Sequence, residues 1–135
     1  MTLVNFITPL ALVRELLPYM RRGSTVVNVI TAGIHVLMTK LPLYGATKIA
    51  LHYASEALRR ELRDKGICLV SVYPGVVKTS FHSRAGVREV EGGVTPEEVA
   101  KRIIKSIKSK KKRVYIPSYL EIARVLLGPH LLALY

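Results

Sequence analysis

Tyr44 and Lys48 are the two residues of this sequence whose types and spacing most directly indicate chemistry. They stand four positions apart in LPLYGATKIALHYASEALRREL (residues 41–62), where apolar residues recur at helical spacing, so both side chains share one helical face. A lysine in or near the first turn of a helix opposes the helix dipole by up to roughly 1 kcal/mol. Helix stability therefore does not explain Lys48, whereas a role at a functional site does.

The chemistry that this pair predicts is proton exchange by a phenol. A tyrosine hydroxyl with a pKa of about 10 is a poor acid or base at neutral pH. An ammonium group about 4 Å away, at an effective dielectric constant of about 20, favours the phenolate by roughly 4 kcal/mol. We therefore expect Lys48 to lower the pKa of Tyr44 and make it a general acid or base. Taken alone, this spacing is common, and an ordinary surface pair is the alternative.

The elements that position this pair follow an alternating pattern. Three near-continuous apolar runs predict buried parallel strands: STVVNVI (24–30), GICLVSVY (66–73) and KRVYIP (112–117). Four helices are predicted: residues 2–20, 41–62, 95–109 with Thr95 as N-cap, and 118–128. Such alternation predicts an α/β fold with right-handed crossovers. Ligands are then expected beyond the carboxyl ends of the strands, which are Thr31, Pro74 and Ile116.

Four segments resemble the short-chain dehydrogenase/reductase family, in order and at matching separations from Asn5 to about Thr79. YGATKIAL resembles the Tyr-x-x-x-Lys motif of that family, and VVNVITAG resembles the strand end that normally carries a catalytic serine, here Thr31. LVNFITPLALVRELLPYM resembles the preceding helix with its asparagine, and VSVYPGVVKTSF resembles the Pro-Gly segment that flanks the nicotinamide. The resemblance implies a partial Rossmann-like, doubly wound parallel sheet of about three strands, with residues 1–135 as a single, truncated catalytic segment.

The resemblance also implies a role for each site residue in an NAD(P)-dependent oxidoreductase. Tyr44 would be the acid/base for a carbonyl or alcohol oxygen, and Lys48 would lower its pKa and hold the nicotinamide ribose. Asn5 would keep a water in a proton relay, and Thr31 would hydrogen-bond the substrate oxygen. No metal site is expected. The positions implied to contact NAD or NADP are Tyr44, Lys48, Pro74, Gly75, Val77 and Thr79.

Two features depart from the family pattern. The threonine hydroxyl at position 31 can still donate and accept, but its methyl group crowds the site. Neither the Gly-rich phosphate turn, Thr-Gly-x-x-x-Gly-x-Gly, nor the later Asn-Asn-Ala-Gly occurs in these residues, and Gly92-Gly93 follows no predicted strand. We therefore expect a catalytic half without most of the cofactor site. A catalytically inactive remnant that serves as an association module is the alternative function.

The composition limits the remaining function classes. Half of the residues are hydrophobic, which argues against disorder, and the net charge is +12. Eight basic residues fall in KRIIKSIKSKKKR (101–113), which we interpret as a solvated helix face. No aromatic residue interrupts this run, so nucleic acid is disfavoured, while binding to a polyanion or membrane surface stays an alternative. The one cysteine, Cys68, and the lack of a signal peptide or membrane span indicate a cytoplasmic protein.

Apolar surface predicts a homo-oligomer. The helix over 2–20 is apolar on nearly all sides and should be buried on more than one face. The strand over 24–30 should form an unpaired sheet edge. The tail YLEIARVLLGPHLLALY (119–135) is also mostly apolar, and we expect another chain to cover it rather than a membrane. KTSFHSRAGVREVEGGV (78–94) is expected to be the lid over a small carbonyl or alcohol substrate.

Overall fold

The computed structural model describes residues 1–79 and 92–127. The helices are a π-helical turn at Leu3–Ile7 that continues into α1 (Thr8–Leu16) and a 3₁₀ turn at Leu17–Tyr19, a 3₁₀ turn at Ala32–His35, α2 (Pro42–Asp64), α3 (Pro96–Ser109) and α4 (Tyr119–Leu127). The strands are β1 (Thr25–Val29), β2 (Cys68–Pro74) and β3 (Arg113–Ile116). The central part of the predicted lid and the tail beyond residue 127 lie outside the described residues.

The three strands form one parallel sheet in the order β1-β2-β3. The register pairs Val27 with Val70 and Tyr73 with Tyr115. The predicted α/β fold with a small parallel sheet is confirmed, and each strand starts and ends within two residues of its predicted bounds. Because all strands run the same way, their carboxyl ends meet at one edge of the sheet.

The core explains why the strands are nearly continuous apolar runs. Successive residues of β2 point to opposite faces, and helices cover both. Leu69 packs with Val13 of α1 and Leu62 of α2 on one face, while Val72 packs with Val99 of α3 on the other. β2 is therefore buried along almost its whole length, as a central parallel strand must be.

The first helix is less regular than predicted. Pro9 has no N–H to offer the carbonyl four residues earlier, and just before it the N–H of Thr8 bonds to the carbonyl of Leu3 in the wider π-helical spacing. Within the single chain this segment is covered on one face only: Val13 is buried, whereas Val4 is 70% and Leu12 54% exposed. Burial of a second face, which we expect from another chain, stays a prediction. One apolar face lies open beside the edge strand β1.

The long helix that carries the Tyr-Lys pair begins one residue after its predicted start at Leu41. Pro42 is its first residue, where a fixed φ and a missing N–H are favourable. Lys48 is therefore the seventh residue, in the second turn, which is near the first turn as expected but not within it. Thr95, by contrast, caps α3 as predicted, since its hydroxyl accepts from the N–H of Glu98 at 3.2 Å.

Glu56 on α2 is the carboxylate that ties this helix to the sheet. Arg113 of β3 donates to its two carboxylate oxygens through Nε and Nη2, and Arg59 forms an ion pair with it one turn along α2. Burial alone would raise the pKa of Glu56, but hydrogen bonds and charge from Arg113 and Arg59 lower it to about 2. Among the described residues, no helix is long and apolar enough to cross a bilayer.

Replacing Glu56 by Gln is expected to destabilise the protein in a pH-dependent way. A folded-state pKa of about 2 against 4.5 corresponds to about 3 kcal/mol at about 1.36 kcal/mol per unit, which solvent screening reduces to about 1–2 kcal/mol. Because the folded pKa is the lower one, this contribution is complete above about pH 5 and is lost as the pH falls toward 2. Urea unfolding at pH 7 and pH 2.5 measures it.

Glu61→Gln is the matched control, because Glu61 is an exposed carboxylate of the same helix. It should change the free energy of unfolding by less than about 0.5 kcal/mol at either pH. An equal loss of unfolding free energy in the two variants at pH 7 would contradict the role given to Glu56. So would a loss in Glu56→Gln that is as large at pH 2.5 as at pH 7.

Candidate active site

A cavity of about 840 Å³ opens at the carboxyl ends of β1 and β2. Seven of the eight site residues predicted from the sequence line it: Thr31, Tyr44, Lys48, Pro74, Gly75, Val77 and Thr79. Its other walls are largely apolar and include Met38, Leu41 and Leu120. A pocket with an apolar body and a few convergent polar groups is the usual form of a small-molecule site.

Thr31 joins two strand ends at this cavity. It follows β1 by two residues, and its extended backbone lets its hydroxyl accept from the N–H of Gly33 at 3.1 Å and cap the 3₁₀ turn at Ala32–His35. The same hydroxyl donates to the carbonyl oxygen of Pro74 at 3.3 Å. Because Thr31 is only 9% exposed, its position is set by the sheet rather than by solvent.

Tyr44 reaches Thr31 from the first turn of α2. Burial raises the pKa of the Tyr44 phenol, and a hydrogen bond with the Thr31 side chain lowers it in part. The expected lowering of the Tyr44 pKa below its ordinary value by Lys48 is therefore wrong for this structure. At neutral pH the phenol carries its proton.

Lys48 makes a different contact from the expected one. Its ammonium lies 5.8 Å from the centre of the Tyr44 ring and donates to the carbonyl oxygen of Val29 at 2.9 Å. Burial lowers the pKa of Lys48. A second cavity, of about 390 Å³, lies between the first helix and β1. Val29 and Lys48 line both cavities, so the edge strand holds the ammonium at the wall between them.

Asn5 lines that second cavity, not the main one. Its amide nitrogen donates to the hydroxyl of Thr47 at 3.3 Å, and Thr47 donates to the backbone carbonyl of Tyr44 at 2.8 Å. Asn5 is therefore tied to the backbone of Tyr44 through a residue that the sequence reasoning missed. A small polar residue between Tyr44 and Lys48 was the available signal, and only the tertiary contact gives it a partner.

The Pro74-Gly75 turn fits closely between β3 and α4. The N–H of Gly75 donates to the carbonyl of Ile116 at 2.8 Å, and a Cβ at position 75 would lie 3.0 Å from Leu120 Cδ1. Glycine is favoured here by space. Val77 then pairs with Val94 in an isolated parallel bridge, which brings the start of α3 to the rim of the cavity.

Four rings that the sequence reasoning also missed form a chain beside the cavity, although none of them lines it. Tyr73 and Tyr115, neighbours in the sheet register, stack with centroids 4.5 Å apart and planes at 12°. His52 Nδ1 lies 2.8 Å from the Tyr73 hydroxyl, and His35 Nε2 lies 2.9 Å from the Tyr115 hydroxyl. Burial lowers the pKa of both histidines. This chain of rings links α2, the two strand ends and the turn that follows Thr31.

The arrangement can offer an oxygen atom in the cavity a neutral phenol, a neighbouring hydroxyl and a nearby ammonium. Proton donation to that oxygen is the chemistry that these groups share. In the part of the chain that the structure describes, no group of three or more His, Cys, Asp or Glu residues is placed to hold a metal ion.

Comparison with known proteins gives matches at the level of sequence. The family model described as short chain dehydrogenase matches residues 1–89. The chain is 34% identical over 105 residues to the oxidoreductase claN of Passalora fulva, covering 74% of this chain and 48% of that protein. It is 28% identical over 113 residues to a fatty acyl-CoA reductase of Acinetobacter baylyi, covering 82% of this chain and 38% of that protein.

Solved structures match at the level of fold. A short-chain dehydrogenase from Streptomyces avermitilis superposes with a TM-score of 0.70 at 27% identity, over 93% of this chain and 57% of its own. One from Burkholderia cenocepacia in complex with NADP has a TM-score of 0.81 at 19% identity, over 93% and 52%. The chain thus spans about half the length of these two structures and less than half the length of the two curated relatives. The family match over residues 1–89, together with this fold, shows that the chain belongs to the short-chain dehydrogenase family.

Proposed function

We propose that the chain is the catalytic half of an NAD(P)-dependent oxidoreductase that interconverts a carbonyl compound and an alcohol. The observation that carries this proposal is the convergence of Thr31, Tyr44 and Lys48 on one cavity at the carboxyl ends of the strands. The apolar walls around them favour a substrate whose carbonyl is attached to an apolar body.

Tyr44 acts as the general acid in the direction of carbonyl reduction. Its raised pKa keeps the proton on the phenol at neutral pH, ready for transfer to the substrate oxygen as negative charge develops there. Thr31 turns its hydroxyl from the Pro74 carbonyl to the same oxygen and stabilises that charge. Alcohol oxidation needs the phenolate instead, and a closer approach of the Lys48 ammonium to the phenol would lower the pKa and make that form more accessible.

The residues present fit the nicotinamide end of a dinucleotide cofactor. Pro74 and Val77 offer an apolar wall in the same cavity as the Lys48 ammonium and the Thr79 side chain, so a flat ring, a ribose and a carboxamide each meet suitable groups. A bound nicotinamide dinucleotide would supply or accept the hydride at the substrate carbon. Asn5, acting through Thr47, positions the backbone of Tyr44 and borders the route of a proton relay.

The phosphate end of the cofactor has no such partner among the residues that the structure describes. They contain no Gly-rich turn, and within the described part of the chain β1 has a strand on one side only. The groove of about 390 Å³ between the first helix and β1 is open. A further strand and helix, from an upstream segment or another chain, would complete both the sheet and the cofactor site.

Self-association is the second part of the proposal. Large apolar side chains of the first helix are exposed, among them Leu3 at 64% and Val4 at 70%. Burying one such side chain is worth roughly 1.5–3 kcal/mol. A second copy that covers this face is preferred to a membrane surface, because Arg14 and Glu15 interrupt the apolar stripe. The half-buried thiol of Cys68 fits a reducing, cytoplasmic location.

The chain as given is expected to bind NADH or NADPH only weakly. In the described ranges 1–79 and 92–127, no helix N-terminus preceded by a Gly-rich turn is placed to hold a pyrophosphate, and that contact supplies much of the affinity for a dinucleotide. Fluorescence titration of the reduced cofactors should show no saturation below about 100 μM. Sub-micromolar binding by these 135 residues would contradict the proposal.

Joining the chain to the amino-terminal half of the Streptomyces avermitilis dehydrogenase should restore reduction of carbonyl compounds. In that fusion Tyr44→Phe is expected to lower kcat at least about 100-fold, because the proton donor is lost. The matched control is Tyr53→Phe, since Tyr53 lies on the exposed side of α2. NADPH oxidation with a panel of aldehydes and ketones measures both.

Full activity of the Tyr44→Phe fusion would refute the assignment of the acid. A fusion that folds and binds NADPH but reduces none of the compounds, with or without Thr31→Ser, would favour the inactive association module.

Sedimentation velocity at micromolar concentration should show a dimer or larger species. Leu3→Ser combined with Val4→Ser should shift the distribution toward monomer, whereas Lys101→Ser combined with Lys105→Ser, on the exposed side of α3, should not. A stable monomer of the unmodified chain would exclude this part of the proposal.

A further inference from the structure

A third cavity, of about 470 Å³, lies at the amino ends of β2 and β3, the edge of the sheet opposite to Tyr44. The end of α2 and the start of both strands enclose it. Six cationic residues line it: Arg59, Arg60, Arg63, Lys110, Lys112 and Arg113. Glu56 is the carboxylate among its lining residues. Nothing in the proposed oxidoreductase chemistry uses this cavity.

Arg59 is fixed at its floor. Its Nε donates to the carbonyl of Leu69 at 3.2 Å, and its Nη2 donates to Ser71 Oγ at 2.7 Å and to the carbonyl of Lys112 at 3.1 Å. Its side chain is 12% exposed and paired with Glu56. The cation at the base of the cavity is therefore already held in place, at no further conformational cost to a ligand.

Four other cations stand around the rim. Arg60, Arg63, Lys110 and Lys112 are all exposed. Arg63 makes a weak, solvent-exposed contact of 3.8 Å with Asp64. These side chains come from α2 and from the segment between α3 and β3, which are about fifty residues apart in sequence. The cluster therefore forms only in the folded chain.

Helix ends account for a small part of this charge. Cations are favourable at helix carboxyl termini, and α2 and α3 both end near this edge of the sheet, but each terminus carries only about half a negative charge. Six cations against one carboxylate leave five positive charges in excess. Two helix termini together offset about one of them. The remaining excess is several times larger than helix capping explains.

We propose that this cavity binds a compact phosphate-bearing group, carried either by a soluble phosphorylated metabolite or by a lipid head group. Arginine forks and lysine ammonium groups suit phosphate oxygens. The cavity is concave, and no aromatic side chain lines it in the described part of the chain, so stacking of nucleic-acid bases is not supported. A single phosphate or diphosphate matches both its size and its charge.

Inorganic pyrophosphate is the probe for this site. Calorimetric titration of the full chain at low salt should give saturable binding of one pyrophosphate per chain. Arg60→Gln, Arg63→Gln and Lys112→Gln in combination should weaken it by roughly tenfold or more, since three charge-assisted contacts are removed. The control combines Lys101→Gln, Lys105→Gln and Lys108→Gln, which remove the same charge from exposed positions of α3. The affinity of that control for pyrophosphate should stay within about twofold of the affinity of the unmodified chain.

Vesicle flotation separates the two sources of phosphate. Binding to vesicles with phosphatidic acid, absent from neutral vesicles and lost in the cavity variant, would assign a lipid head group. Pyrophosphate binding without flotation would assign a soluble ligand. Circular dichroism checks that both variants fold. If the triple cavity variant does not fold, the single variants Arg60→Gln and Lys112→Gln are measured in its place.

Equal weakening by the cavity and control variants would show attraction to net charge alone and overturn the proposal. The absence of both pyrophosphate and vesicle binding would overturn it as well. The oxidoreductase proposal is unaffected in either case, because these readouts do not depend on activity or on nicotinamide binding.

Discussion

The parallel pairing of β2 with both of its neighbours is the constraint on which the rest of the structure depends. Only a strand buried on both faces can hold two other strands in one direction and leave their carboxyl ends at a common edge. That edge brings Thr31, Pro74 and Ile116 together from positions up to 85 residues apart. The hydrogen bond from Thr31 to the Pro74 carbonyl is a direct result of this register, and so is the stacking of Tyr73 on Tyr115.

Burial and charge compete at the Tyr44 phenol, and burial prevails. The Lys48 head group donates to the Val29 carbonyl, and this direct hydrogen bond offsets only part of its own burial, since burial still lowers the pKa of Lys48. The phenol keeps a raised pKa and the character of an acid. The position of the Lys48 ammonium is therefore one determinant of the pH at which the phenol would exchange its proton.

The β1 side of the sheet and the amino ends of its strands present two different surfaces. At the β1 side, an apolar groove and an exposed helix face are left uncovered by the described residues, and the chain spans about half the length of its structural relatives. At the amino-terminal edge, by contrast, the Glu56–Arg59–Arg113 cluster is complete within the chain and leaves a basic cavity above it. We propose that further polypeptide covers the first surface and that a phosphate group binds at the second.

The sequence by itself determined the order and type of the elements. Apolar runs revealed the strands, and Thr95 and Pro96 marked a helix start, because strand burial and helix capping are local properties. The motif around Tyr44 and Lys48, with Pro74-Gly75, indicated the family and seven residues of one cavity. The tertiary structure alone decided that Asn5 contacts Thr47 and that Lys48 donates to the Val29 carbonyl. It also assembled the His52–Tyr73–Tyr115–His35 rings and the basic cavity. Each of these depends on distances between groups remote in sequence, which no local pattern records.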